Sequence, residues 1–206
     1  MKIDPSEIPF ADTHKLMIGS IVPRPIAFVS TISKEGKNNI APFSYFNGVC
    51  SKPPTIMFAP ARRGWDGKEK DTLTNIRDNN QFVVNMVSES FAEKMVICST
   101  DFDSNVDEFE ISGLNPIASD KISPPRLLES KVSFECELNQ IVEIGNSDAG
   151  SGFIVIGTVL LFHIDDEVYK NGHILLDKLE PIGRLAGNKY TRPSDVFEIS
   201  RKIKPE

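Results

Sequence analysis

Residues Pro23 to Phe46 read PRPIAFVSTISKEGKNNIAPFSYF, and the fold follows from how this stretch is punctuated. Pro23, Arg24 and Pro25 fix an extended entry and exclude a helix interior. Ile26, Ala27, Phe28 and Val29 form an apolar, partly β-branched run that ends in the hydroxyl pair Ser30 and Thr31. A polar, glycine-containing turn from Ser33 to Asn38 reverses the chain. Asn39, Ile40, Ala41, Pro42, Phe43 and Ser44 return as a second extended run. The ends of this hairpin collect amides, hydroxyls and an aromatic ring, which suits a planar, phosphorylated ligand. The same pattern also describes an ordinary hairpin of a β-rich protein.

Upstream, residues 1–10 are a proline-containing arm without periodicity. Ala11 to Gly19 (ADTHKLMIG) predicts a short helix capped by Asp12 or Thr13 and stopped by Gly19. Downstream, the Pro53-Pro54 break leads into a third strand, Thr55 to Ala59, and residues 60–70 form a basic, glycine-containing loop. TLTNIRDNN, Thr72 to Asn80, predicts a helix capped by Asp71 or Thr72. Phe82 to Val87 reads as a strand, and Ser90 to Thr100 as a helix whose face includes Phe91, Met95 and Val96. Residues 101–130 are irregular, with an acidic patch and the Pro124-Pro125 break. Val132 to Ile144 alternates as a long strand. Phe153 to Ile164 is mostly apolar, the mark of a strand buried on both faces, and the Asn146 to Gly152 turn joins the two.

About six strands with only short helices between them exclude a doubly wound α/β sheet, which needs a helix after nearly every strand. The expected fold is mainly β with peripheral helices, an antiparallel barrel. No repeat, low-complexity segment or linker divides it, so residues 1–206 are expected to form a single domain, with the 1–10 arm and a 194–206 tail at its ends.

A formal net charge of -6 and a pI near 5.2 argue against a general nucleic-acid or anionic-membrane binder, which needs a basic face. A single anionic cofactor remains compatible, because a phosphate senses local donors more than net charge. Cys50, Cys98 and Cys136 lie far apart without metal spacing and read as reduced thiols. MKIDPSEIPF does not have the form of a signal peptide, and no apolar run approaches the roughly 18 residues of a membrane helix. A cytoplasmic protein is expected.

Lys70, Asp71 and Thr72 concentrate positive charge and free N–H groups at a helix start, which suits a phosphate; a solvated loop with a routinely capped helix is the plainer alternative. Arg62 and Arg63 precede them in the same loop. Arg184 and Tyr190 stand in a glycine-bracketed loop that could cover a ring or simply turn at the surface. His163 and His173 have no carboxylate or cysteine at ligand spacing, so no metal site is expected. In DFDSNVDEFEIS, Val106 and Ser112 replace the glycine and glutamate that a calcium loop requires. GNSDAGSG lacks the Lys-Ser/Thr of a P-loop, no GxGxxG follows a strand, and Cys50 reads as a buried structural thiol.

PRPIAFVST, NxAPFSYFN, KDTxxN and GRLAGNKY, taken in this order, resemble the flavin reductase-like, FMN-binding split-barrel family over roughly residues 13–192. The resemblance implies a split barrel that holds FMN. It implies Ser30, Thr31, Asn39, Ala41, Pro42, Phe43 and Ser44 along the flavin, and Lys70, Asp71, Thr72 and, less directly, Arg62 and then Arg63 at the phosphate. Arg184 and Tyr190 would lie close to the ring, often across a homodimer interface. The implied activity is transfer of a hydride from NAD(P)H to the flavin, and on to free flavin, oxygen or a protein acceptor. An FMN-binding electron carrier without reductase activity would use the same residues. Hydride transfer needs no side-chain acid or base, and no catalytic residue is named.

Overall fold

The computed structural model describes residues 1–202; residues 203–206, the end of the 194–206 tail, lie outside the described residues. Strands β1 (Ala27–Ile32), β2 (Asn38–Phe43), β3 (Phe46–Ser51), β4 (Pro54–Phe58), β5 (Gln81–Met86), β6 (Val132–Ile144) and β7 (Gly152–Ile164) pair antiparallel throughout. Their order in the sheet is β2-β1-β5-β6-β7-β4-β3. The helices are α1 (Phe10–Ser20), α2 (Asp71–Asn79), α3 (Ala92–Ile97) and α4 (Glu108–Ser112), followed by a single turn at Leu176–Leu179.

The edge strands β2 and β3 are neighbours in sequence, and the sheet curls until its two ends share one core. Phe43 of β2 lies 5.1 Å from Phe58 of β4 between ring centroids, and Phe58 lies 5.5 Å from Phe82 of β5. Val29, Val84, Phe153 and Val155 complete this interior, with Leu73 and Ile76 of α2 packed into it. The result is a barrel left open between β2 and β3, the split barrel that the resemblance implies. A second apolar cluster covers the outer face of β1 and β2: Ile26, Phe28 and Ile40 pack against Phe91, Met95, Phe109 and Leu127. Full burial of each such side chain contributes roughly 1.5–3 kcal/mol.

Several expectations are corrected. β3 was not anticipated: apart from Phe46 its residues are exposed, and FNGVCS offers neither alternation nor an apolar run. Cys50, on that strand, is exposed rather than buried, whereas Cys98 and Cys136 are buried. α1 starts at Phe10 with no side-chain cap, and Lys70 occupies the cap position of α2, so neither Asp71 nor Thr72 caps it. The segment expected as one helix over Ser90–Thr100 is a 3-10 turn at Glu89–Phe91 followed by α3, with Phe91 and Met95 buried and Val96 exposed. α4 interrupts the stretch expected to be irregular. β7 is buried on one face only, and Phe162 and Ile164 are exposed on the other.

Gly157 of β7 marks the closest approach within the barrel. A Cβ built there would fall 2.3 Å from Cζ of the fully buried Phe82 ring. Gly157→Ala is therefore expected to destabilise the fold by about 1–3 kcal/mol through overpacking. Urea denaturation would check this, and an unchanged midpoint would contradict it.

Candidate functional site

A small, half-open cleft of about 40 Å³ lies where β2, the start of α2, the end of α3 and α4 converge. β2 contributes Asn39, Ala41, Pro42 and Phe43. The loop before α2 contributes Arg63 and Lys70, and the helix start contributes Asp71 and Thr72. Cys98 to Phe102 and Glu108 close the far side.

The floor is a buried polar network centred on Asn39. Its Nδ2 donates to Glu108 Oε1 at 2.9 Å, and its Oδ1 accepts from Thr72 Oγ1 at 2.9 Å and Thr31 Oγ1 at 3.2 Å. Thr31 Oγ1 accepts in turn from Asn75 Nδ2 at 3.0 Å. Glu108 Oε2 faces the backbone N–H of Ile40 at 3.4 Å, on the side of β2 that has no partner strand. By the alternation of the ladder Pro42 faces the same way, where it has no N–H to leave unpaired. Burial pushes the Glu108 carboxyl above its ordinary range, and the nearby Asp71 pushes the same way. Hydrogen bonds from Ile40 and Asn39 oppose the shift. Burial also raises the Cys98 thiol to about 11, so it stays protonated and inert.

The cations at the rim are held by carboxylates. Lys70 Nζ lies 2.6 Å from Asp101, and Arg63 Nη2 donates to Asp71 at 3.0 Å. Arg63 Nε is buried and has no partner among the described residues. It is a donor the fold leaves unused, as are, outside the cleft, Arg126 Nε and the acceptor Asp66 Oδ2.

The residues singled out in the sequence divide into two groups. Asn39, Ala41, Pro42, Phe43, Lys70, Asp71 and Thr72 line the cleft, although the Phe43 ring itself points into the core. Thr31 sits in its floor. Ser30 does not join it: adjacent strand residues face opposite ways, and its hydroxyl donates to Pro125 O at 2.5 Å while accepting from Asn85. Arg62 faces away, paired with Glu143 at 2.6 Å and stacked over Phe153. Arg184 and Tyr190 stack on each other at 4.6 Å outside the cleft. Ser44 also lies outside the lining: the buried Arg24 guanidinium donates to Ser44 Oγ at 3.2 Å, to the carbonyls of Ile18 and Ile21, and to Leu185 O, tying the end of β2 to the loop that carries Arg184.

Arg24 and Glu108 carry these contacts unheralded by the sequence. Nothing near Glu108 in the chain links it to Asn39, 69 positions away. His163 also has partners that sequence spacing did not show. It lies 2.6 Å from the fully buried Glu135, whose oxygens accept from the backbone N–H groups of Asp120 and Lys121. Burial alone would raise the Glu135 carboxyl, but these bonds hold it below the ordinary range. Asp120, Glu135 and His163 thus lie together, outside the cleft.

A profile described as the flavin reductase like domain matches residues 18–180. Nitrilotriacetate monooxygenase component B from Bacillus cereus superposes with a TM-score of 0.92 at 37% identity, covering 97% of this chain and 98% of that one. The 2-nitrobenzoate 2-nitroreductase of Pseudomonas fluorescens follows at 0.87 and 32%, covering 98% and 96%. A split-barrel structure from Shewanella frigidimarina shares the fold at 0.83 and 18%, covering 98% and 100%.

The raised carboxyl of Glu108 has a consequence for stability. The folded chain holds that proton more tightly than the unfolded chain. The contribution is full below the ordinary carboxylate range and is lost as pH rises through the folded value. Glu108→Gln, neutral throughout, is expected to melt above the wild type at about pH 8 and to lose that advantage at about pH 4. Melting curves across this range would check it; a wild type more stable at the upper end would refute it.

Proposed function

Because the chain belongs to the flavin reductase-like family, we propose that it is an FMN-dependent oxidoreductase that takes a hydride from NAD(P)H and passes electrons to free flavin, oxygen or a protein acceptor. The observation that carries the reading is the unpaired, buried Arg63 Nε beside Lys70 at the start of α2. A phosphate needs donors held in place, and this corner has a guanidinium nitrogen, an ammonium and a helix N-terminus that no side chain caps.

In this reading Arg63, Lys70 and Thr72 hold the phosphate, and the Asn39–Ser44 segment lies along the rest of the flavin. Asp71 orients Arg63 rather than touching the phosphate, since its carboxylate would repel it. Bound flavin supplies the hydride chemistry; the residues of the chain bind, orient and shield it. Arg24 fixes Ser44 and the Leu185 carbonyl on one guanidinium, so the loop carrying Arg184 keeps a set distance from the cleft.

We also propose that the chain works as a homodimer. α1 buries none of its residues within the chain, and Phe10, Leu16 and Met17 of that helix are exposed. Val49 on the edge strand, and Val196, Phe197 and Ile199 of the tail, are exposed as well. A second copy of the chain would cover such exposed apolar side chains. Sedimentation at micromolar concentration is expected to give twice the chain mass; a monomer would overturn the dimer.

FMN titration followed by anaerobic NADPH and then NADH tests the activity. Uptake of FMN with bleaching by either nicotinamide is the expected result. Uptake without bleaching would favour an electron carrier, and failure to take up FMN would overturn the flavin reading. Lys70→Ala is expected to weaken FMN binding about ten-fold, because a donor is lost and Asp101 is left without its partner to repel the phosphate.

A further inference from the structure

We propose that Glu108 is a positioning residue that couples phosphate binding to uptake of one proton, by setting which end of the Asn39 amide faces the cleft floor. The proposal rests on the cleft being the phosphate end of the flavin site, as argued above.

The argument is one of donors and acceptors. An ionised carboxylate can only accept, so with Glu108 charged the Asn39 Nδ2 must face it, as observed at 2.9 Å. The Asn39 oxygen is then turned towards Thr72 and Thr31 and draws their hydroxyl protons into the floor. Thr72 has one hydroxyl proton. In this arrangement Thr72, which lines the cleft, presents only lone pairs there, and these repel a phosphate.

A proton taken from solvent by Glu108 reverses each link. The carboxylic acid donates to the Asn39 oxygen, the amide turns over in the same space, and its Nδ2 donates to the threonine oxygens. The Thr72 proton is released to point into the cleft, beside Arg63 Nε and Lys70. Phosphate and proton therefore favour the same state, and each must tighten the other.

The surroundings keep the proton within reach. Glu108 is 7% exposed, and burial together with Asp71 from α2 disfavours its charge. From the end of α3 it meets the neutral Cys98, whose Sγ approaches the Glu108 carbonyl. Its own helix adds Glu110, and Asp107 at the cap position, whose carboxylate is engaged by the Phe109 N–H. β2 carries no titratable residue. Lys70 and Arg63, the cations lining the same cleft, are neutralised by Asp101 and Asp71.

The test is equilibrium binding of FMN and of riboflavin, followed by flavin fluorescence between about pH 5 and pH 8, on the wild type, Glu108→Gln and Thr72→Val. The ligand's own second phosphate ionisation, at about pH 6, acts on all three proteins alike and cancels in the comparison. Relative to Glu108→Gln, the wild type is expected to gain about ten-fold in FMN affinity as pH falls across this range, the worth of one hydrogen bond to a charged group. Thr72→Val is expected to lack that gain, and wild-type riboflavin binding, with no phosphate to sense the hydroxyl, to stay level. Parallel FMN profiles for the wild type and Glu108→Gln would overturn the proposal while leaving the flavin site intact. Should Glu108→Gln fail to fold, a Thr72→Val profile that keeps the wild-type slope would overturn it equally. No FMN binding by any of the proteins would overturn the site reading and this proposal with it.

Discussion

The Asn39 amide is a buried group with two unlike ends, and the cleft exists because both ends are satisfied. One end requires acceptors and the other donors, so the residues around it cannot be exchanged freely. It is supplied by three separate parts of the chain: Thr31 on β1, Thr72 on α2 and Glu108 on α4. Leaving a buried amide unpaired costs on the order of 1–3 kcal/mol, so each of these elements is held in place by the same few atoms. α4, only five residues long and far too short to be stable alone, is the clearest case. Its position comes from Phe109 in the outer core and from Glu108 clasping the unpaired edge of β2.

Arg24 plays the corresponding part on the other side of the hairpin. Its guanidinium is nearly inaccessible, yet every hydrogen bond it makes is to an uncharged oxygen. A planar fork with five donors can satisfy carbonyls from several directions, which a lysine ammonium cannot. The carbonyls of Ile18 and Ile21 come from the end of α1, where helix carbonyls lack partners. The proline-bracketed entry thus does more than extend the chain: it delivers an arginine that fastens α1, Ser44 and the Leu185 loop to one another.

The sheet was legible because its strands obey a local rule. Apolar runs, alternation and turn residues gave β1, β2, β4, β5, β6 and β7 nearly to the residue, and gave α2 as a helix, though not its place in the core. β3 was not legible, because an exposed edge strand has no burial pattern to impose on its sequence. The site was legible only in part, and the misses share a cause. Ser30 and Thr31 are adjacent, as are Arg62 and Arg63, and in each pair the two side chains part, one serving the cleft and one the scaffold. A motif names the stretch; backbone direction decides which member of the pair is used. Glu108 was beyond reach for a different reason, since a contact across 69 positions leaves no local trace.

The charge pattern of the cleft follows from the acidity of the whole chain. With a formal net charge of -6, the protein cannot rely on a broad positive field to draw in an anion. Nor could it leave Lys70 and Arg63 half-buried without partners, since a desolvated cation alone is costly. Asp101 and Asp71 remove that cost, and in doing so change what binding an anion means: for these cations it becomes an exchange of one acceptor for another. Such an exchange gains little from charge neutralisation. Net affinity must then come from donors that have no partner beforehand. Arg63 Nε is one such donor in the structure, and the Thr72 hydroxyl becomes another when Asn39 turns. A phosphate site built this way, as proposed, would be selective for an acceptor of the right shape rather than for negative charge in general. That selectivity is what a protein needs when its net charge is already negative.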